Sequence, residues 1–303
     1  MTDVKETSGS VAILGLGLMG GSLGLALRAR GFRGRIAGFA RRSTVRAEAM
    51  RRGAADAVFD TPDAAVHGAD VVVICVPVMD IPALAAAAAP ALSASAAVTD
   101  VGSTKAWVAE HASAALGPAA VRFVGSHPIA GSEKQGLEAA IPGLYENALV
   151  VTTPRADADP EVVARVCALW RFVGARVVRL TPEEHDRRLA RTSHLPHLTA
   201  AVLAAAAGRD GETGRMAPFC GTGFRDTTRV ADGSPDVWHD IVRTNRPALL
   251  AEMEAFGDRW NDAVEALRRQ DYARLHRILQ EGRIARRRLA EAAAASDPAE
   301  GIE

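Results

Sequence analysis

Residues 11–24 read VAILGLGLMGGSLG, an apolar run followed by five glycines at turn-like spacing. Gly15, Gly17 and Gly20 stand in the order G-x-G-x-x-G, straight after a run that suits a buried strand and straight before a helical pattern. Few folds accept that arrangement. Without side chains, the first two positions let the backbone turn tightly and approach a pyrophosphate, while the third lets helix and strand pack closely. The phosphates then sit against unpaired N–H groups at the helix N-terminus. The nearly uncharged stretch 11–27 invites comparison with a membrane span. Its glycines interrupt it, however, and it falls short of the ~20 residues that spanning needs. No membrane partner is expected.

The alternation continues. Runs RIAGFA, DVVVICVP, AAVTDVGS, VRFVGSHP, ALVVTTP and ARVVRL are each rich in Val or Ile and bounded by Gly, Pro, Ser or Asp, as buried strands are. Segments 43–52, 81–92, 104–116 and 160–174 between them have the length and composition of helices. The expected fold class is α/β: an N-terminal Rossmann-type, doubly wound parallel sheet followed by an all-helical C-terminal domain. The change comes after LTPEEHD, where Thr181, Pro182 and two acids form a helix start. The boundary is placed near Leu180, giving a dinucleotide-binding domain at 1–180 and a helical substrate and dimerisation domain at 181–303. A last helix is expected from about Pro247 onward. Its many arginines are interleaved with Glu and Asp, which reads as a solvated face, so no nucleic-acid partner is expected.

The 36 basic and 36 acidic residues cancel, and 48% of residues are hydrophobic, which indicates a soluble globular protein without a polyanionic partner. Cys75, Cys167 and Cys220 are scattered, matching neither a disulfide framework nor a metal-ligand spacing. The start MTDVKETSGS is polar and lacks the basic region of a signal peptide. A cytoplasmic location is expected.

The choice of dinucleotide depends on the end of the second strand, where NAD-selective sites offer Asp or Glu to the ribose 2′-hydroxyl. RIAGFA ends instead in Ala40, Arg41, Arg42 and Ser43. A guanidinium pairs well with a 2′-phosphate, so NADP is expected, with NAD as the alternative. Leu18 and Met19 inside the loop, Val76 and Pro77 closing DVVVICVP, and Lys105 complete the expected cofactor set.

In open α/β sheets the substrate lies beyond the carboxyl ends of the strands. TDVGSTK and GSHPIAGSEKQG both follow apolar runs, which should bring Ser103, Lys105 and His127 to that edge. Pro128 and the flanking glycines read as a loop holding one imidazole in place. A neutral imidazole, with an ordinary pKa of about 6.5, can take a hydroxyl proton while hydride leaves the same carbon.

GLGLMGGSL, DVGSTK, GSHPIAGSEKQG, SHLPH and GFRDTTRVADGSPDVW occur together and in this order. In these motifs, from Val11 to beyond Trp238, the chain resembles the prephenate/arogenate dehydrogenase family of tyrosine biosynthesis. The resemblance implies an NAD(P)-dependent oxidative decarboxylation: prephenate gives 4-hydroxyphenylpyruvate, or arogenate gives tyrosine, with loss of carbon dioxide. It implies a Rossmann domain followed by a helical domain that forms a homodimer.

Carried over by residue, His127 matches the histidine that deprotonates the ring hydroxyl, Ser103 the serine beside it, and Arg229 the arginine that holds a substrate carboxylate. Trp238 matches a tryptophan near the side chain in prephenate-using members, and prephenate is the expected substrate. His197 reads either as a pocket residue or as a hydrogen-bonded core histidine. Ser132, Glu133, Arg225 and Asp226 complete the expected substrate set. Glu133 with Lys134 reads as a gate closing on Arg225 or as an exposed pair, and Asp226 as an anchor for the loop carrying Arg229. His194 and His197 have no carboxylate or cysteine at partner spacing, so no metal is expected. With the chain ending at 303, tyrosine inhibition would be expected to act at the active site. Competing readings are a 3-hydroxyacid dehydrogenase of the 6-phosphogluconate type, which shares GLGLMG, and a non-catalytic dinucleotide-binding sensor.

Overall fold

The computed structural model describes residues 9–131, 134–211 and 213–295. Eight strands form one sheet: β1 (Val11–Leu14), β2 (Ile36–Phe39), β3 (Ala57–Phe59), β4 (Val71–Ile74), β5 (Ala97–Asp100), β6 (Phe123–Ile129), β7 (Leu149–Pro154) and β8 (Arg176–Arg179). Their spatial order is β3-β2-β1-β4-β5-β6-β7-β8, and every neighbouring pair is parallel except β6 with β7. Strand order reverses between β1 and β4, which opens a crevice beyond their carboxyl ends. β3 joins the seven expected strands; as three half-buried residues it is too short for a periodic pattern to register.

Side-chain alternation builds two cores. Val11 and Ile13 of β1 and Val71 and Val73 of β4 enter one layer with Leu23, Leu27 and Trp170. Ala12, Leu14, Val72 and Ile74 enter the other with Val98 and Phe123. Both faces being covered, these strands are apolar at every position rather than at alternate ones. The covering helices are α1 (Leu18–Ala29), α2 (Ser43–Arg51), α3 (Pro62–Val66), α4 (Ile81–Ala88), α5 (Ala106–Leu116) and α6 (Pro160–Phe172).

After β8 the described chain is helical: α7 (Pro182–Leu189), α8 (Leu195–Ala207), α9 (Thr213–Met216), α10 (Thr222–Thr228), α11 (Pro235–Thr244), α12 (Arg246–Arg268) and α13 (Tyr272–Ala295). The Thr181 hydroxyl accepts the Glu184 N–H at the start of α7, with Pro182 in the first turn, so the cap read in the sequence is built. Between α7 and α8, Ala190–His194 winds as one π-helical turn. The single last helix of the sequence reading is two helices, reversing at Gln270, whose φ is 57°.

The segment around His127, expected as a loop, is strand. Val124 pairs with Thr99 and β5 ends at Asp100, so residues 125–129 of β6 run past the edge of β5 and pair only with β7. Pro128 stands opposite Val150 in that stretch. With no β5 neighbour there, its missing N–H leaves no ladder bond unmade.

Candidate functional site

The glycine loop lies at the crevice between β1 and β4. Gly15 has φ +107°, and a Cβ on it would meet Val76 Cγ1 at 2.8 Å and overlap the Cys75 carbonyl. A Cβ on Gly20 would overlap the Gly15 carbonyl oxygen and meet Ile13 Cγ2 at 2.9 Å. Gly17, by contrast, has nothing within 4 Å of such a Cβ. It is also the N-cap of α1, with no side-chain cap. Two glycines are required by the fold itself, while the middle one keeps space clear before uncapped N–H groups. This fits a pyrophosphate.

Leu18 and Met19 open α1, and the Tyr145 hydroxyl donates to the Met19 carbonyl at 2.7 Å from a fully buried position. Val76 packs on the loop, with Pro77 exposed beside it. Arg41 and Arg42 follow β2 in an exposed turn, and the exposed Ser43 opens α2. Arg46 shapes that turn by donating to the carbonyls of Ala40 and Arg41 at 3.0 and 2.8 Å.

His127 is carried half-buried on the overhanging part of β6. Its Nδ1 lies 2.8 Å from His185 Nε2, and His185 Nδ1 lies 2.8 Å from Asp186 Oδ1. The Asp186 carboxylate also accepts the N–H groups of Lys105 at 2.7 Å and Ala106 at 2.9 Å, capping α5. Burial holds the His127 pKa well below its ordinary value, with His185, Lys105 and His194 acting in the same direction. The imidazole is therefore neutral at neutral pH. Ser103 sits half-buried in the turn between β5 and α5.

Lys105, expected at the cofactor, is placed elsewhere. It is fully buried, its ammonium pairs with Asp100 and donates to the Ser126 carbonyl at 2.8 Å, and Asp100 accepts the N–H groups of Gly102 and Ser126. Burial lowers the ammonium pKa while the Asp100 charge opposes the shift. The desolvation cost of a lone buried cation makes an ion pair the stable outcome. This pair clamps β6 where it leaves β5, directly before His127.

The end of β6, two residues past His127, lines a cavity of about 500 Å³, although His127 itself is not among the lining residues. Ile129, Ala130 and Gly131 form one wall, and His197, Arg229 and Trp238 the other. His197 lies flat on Trp238, with ring centroids 3.4 Å apart, and His194 meets the same indole edge-on at 6.0 Å. A Cβ on Gly233 would meet Trp238 Nε1 at 2.7 Å and His197 Cε1 at 2.8 Å, so the DGS turn is shaped to the stack. His194 Nδ1 contacts Asn245 Nδ2 at 3.0 Å, and that amide donates to the Asp186 carbonyl at 2.8 Å. The histidines of SHLPH are thus engaged by an indole and an amide, and among the described residues no group of three or more His, Cys, Asp or Glu could hold a metal ion. Arg225 and Asp226 are exposed on α10 and do not line the cavity. Ser132 and Glu133 lie outside the described residues.

A larger cavity of about 1100 Å³ opens between α5, α7 and the start of α12. Asp186 forms part of its wall, but none of the residues expected to meet substrate or cofactor does. The smaller cavity is therefore the candidate. His185, Asp186, Asn245 and Gly233 escaped the sequence reading. The adjacent His and Asp in LTPEEHD were visible there, but nothing local pairs them with a histidine 58 positions away.

Comparison with known proteins agrees with this geometry. The family model described as prephenate dehydrogenase, nucleotide-binding domain matches residues 23–179, and that described as prephenate dehydrogenase, dimerization domain matches residues 181–281. The chain is 36% identical to cyclohexadienyl dehydrogenase of Zymomonas mobilis over 81% of its own length and 84% of the relative's. It is 34% identical to prephenate dehydrogenase of Bacillus subtilis over 88% of its length and 71% of the relative's. Its structure superposes on prephenate dehydrogenase from A. aeolicus in complex with hydroxyphenyl propionate and NAD+ with a TM-score of 0.86 and 32% identity, covering 93% of this chain and 98% of that one. Synechocystis arogenate dehydrogenase gives a TM-score of 0.79 at 31% identity, covering 92% and 99%.

Proposed function

This chain belongs to the prephenate dehydrogenase family and is an oxidoreductase of that type using a nicotinamide dinucleotide, and we propose that its substrate is prephenate rather than arogenate and its cofactor NADP rather than NAD. The observation that carries the reading is a neutral His127 on β6, two residues before Ile129, which lines a cavity together with Arg229 and the His197–Trp238 stack. Prephenate has a keto group where arogenate has an ammonium. Trp238 lines the cavity and matches the tryptophan found near the side chain in prephenate-using members, which favours the keto acid. A buried, correctly paired polar contact decides such a choice far better than an apolar one.

When bound, the nicotinamide accepts the hydride from the ring carbon bearing the hydroxyl. The protein's part is alignment and one proton. His127 takes the hydroxyl proton as the hydride leaves, the ring carboxylate departs as carbon dioxide, and His127 returns the proton to the phenolate that remains. No net proton is consumed or released, and aromatisation drives the step. A low pKa on His127 suits the return, because burial favours its neutral form. Arg229 orients a carboxylate through its planar fork, and Ser103 supplies a hydroxyl at the same sheet edge. Gly15, Gly17, Leu18, Met19 and Gly20 would hold the pyrophosphate, with Val76 and Pro77 beside it and Arg41, Arg42 and Ser43 at the 2′-phosphate.

The division into a cofactor domain at 1–180 and a helical domain at 181–303 is supported by the end of β8 at Arg179 and by the ranges of the two family models. A homodimer through the helical domain is supported by the second model's description and by the exposed Trp260, Leu279 and Leu289 on α12 and α13. Among the described residues, no helix is long and apolar enough to cross a membrane.

Initial rates with prephenate and arogenate, each with NAD and NADP, test the reading. The expected result is the highest kcat/KM for prephenate with NADP. A preference for NAD overturns the arginine argument alone, and a preference for arogenate overturns the substrate assignment alone.

A further inference from the structure

We propose that His185 and Asp186 are positioning residues that hold His127 in the one tautomer able to accept the substrate's proton. The proposal rests on the reading of His127 as that acceptor. It follows from counting donors along the chain of contacts. The Asp186 carboxylate only accepts, and it is already fixed by the N–H groups of Lys105 and Ala106 at 2.7 and 2.9 Å. His185 Nδ1, 2.8 Å from Asp186 Oδ1, must therefore carry a hydrogen and donate it. A neutral His185 then has only a lone pair at Nε2. His127 Nδ1, 2.8 Å from that lone pair, must be the N–H partner. The remaining nitrogen of His127, Nε2, is left unprotonated.

Each member is held against rotation. His185 is fully buried and Asp186 is 4% exposed, and the Asp186 carbonyl accepts the Asn245 amide at 2.8 Å. β6 is locked to β7, with His127 opposite Val151. The charged and titratable groups facing the relay are the Lys105–Asp100 pair behind it and His194 from the π-helical turn. Because Asp186 also caps α5, one carboxylate sets both the imidazole and the helix that follows the Ser103 turn. An orienting carboxylate behind a catalytic imidazole acts this way in hydrolytic triads, where its loss yields the wrong tautomer. Here a second imidazole stands between the two.

The test uses the full-length protein with 15N-labelled histidine. In the unsubstituted protein without ligands, the His127 ring nitrogens should report Nδ1–H and bare Nε2. Asp186→Asn can donate to His185 Nδ1, which should reverse the chain and move the His127 hydrogen to Nε2. His185→Leu removes the acceptor but leaves the α5 cap intact, and kcat should fall at least about 100-fold, the scale of general-base catalysis. His185→Gln offers an oxygen in place of Nε2 and should recover part of that loss with KM for prephenate little changed. An Nε2–H tautomer in the unsubstituted protein overturns the proposal, as does full kcat in folded His185→Leu. If the unsubstituted protein turns over neither substrate with either cofactor, the functional reading falls, while the tautomer measurement still decides the relay.

Discussion

His197 lies on the face of Trp238 with ring centroids 3.4 Å apart and planes inclined by 15°. The two residues belong to different helices, α8 and α11, and together form one wall of the cavity that contains Arg229. Stacked pairs of this kind contribute roughly 0.5–1.5 kcal/mol beyond their buried area. Trp238→Leu should raise KM for prephenate by about threefold to tenfold, with kcat reduced less, because the indole is proposed to meet the substrate side chain rather than the reacting carbon. Steady-state kinetics checks this. An unchanged KM would place the substrate elsewhere.

The glycine loop makes a prediction by contrast. Gly20→Ala drives a Cβ into the Gly15 carbonyl and should lower the thermal midpoint sharply. Gly17→Ala meets no protein atom and should leave stability unchanged. It should nevertheless weaken cofactor binding by about tenfold or more, since each 1.4 kcal/mol lost is a factor of ten. Thermal unfolding and cofactor titration of both variants separate the two roles.

Replacing Arg41 and Arg42 together by alanine should cut kcat/KM for NADP by about 10- to 100-fold, the worth of one or two charge-assisted hydrogen bonds. The value for NAD should hold. Equal losses with both cofactors would mean the arginines shape the turn rather than meet a 2′-phosphate.

Acid should destabilise the fold through its buried histidines. Burial pushes His194 from the ordinary 6.5 down to about 4. Between those values the unfolded chain binds a proton that the folded chain does not, so the stability present above pH ~6.5 is lost as pH falls toward 4. At 1.36 kcal/mol per unit the loss approaches about 3 kcal/mol. His127 and His185, also lowered by burial, add with the same sign. Urea midpoints between pH 4 and 7 should slope upward with pH, and His194→Gln should flatten that slope.

The Lys105–Asp100 pair should show strong coupling. Lys105→Met leaves a buried carboxylate unpaired and should cost about 3–5 kcal/mol. The double variant with Asp100→Asn should recover much of that, because the uncompensated charge is gone. Denaturant unfolding of the single and double variants checks the cycle, and simple additivity would contradict the buried pairing.

Local rules were enough for much of this molecule. A strand covered on both faces must be apolar at every position, so the parallel sheet was legible in runs such as VVVI and VAIL. The glycine loop was legible because no other residue fits its crowded positions, and the change to helices because Thr181, Pro182 and two acids satisfy a helix start within four residues. Tertiary structure decided the rest. Pro128 lies in a strand only because β6 overhangs β5 and pairs with β7 alone. Lys105 and Asp100 were separated by five positions, but only full burial made them an ion pair. The relay joins His127 to a histidine 58 residues on, and its carboxylate caps a helix 80 residues back. Sequence patterns encode burial and backbone demands, which act on neighbours. The hydrogen bonds that hold the His127 side chain are made across the fold, between residues whose spacing carries no signal until the chain has closed around them.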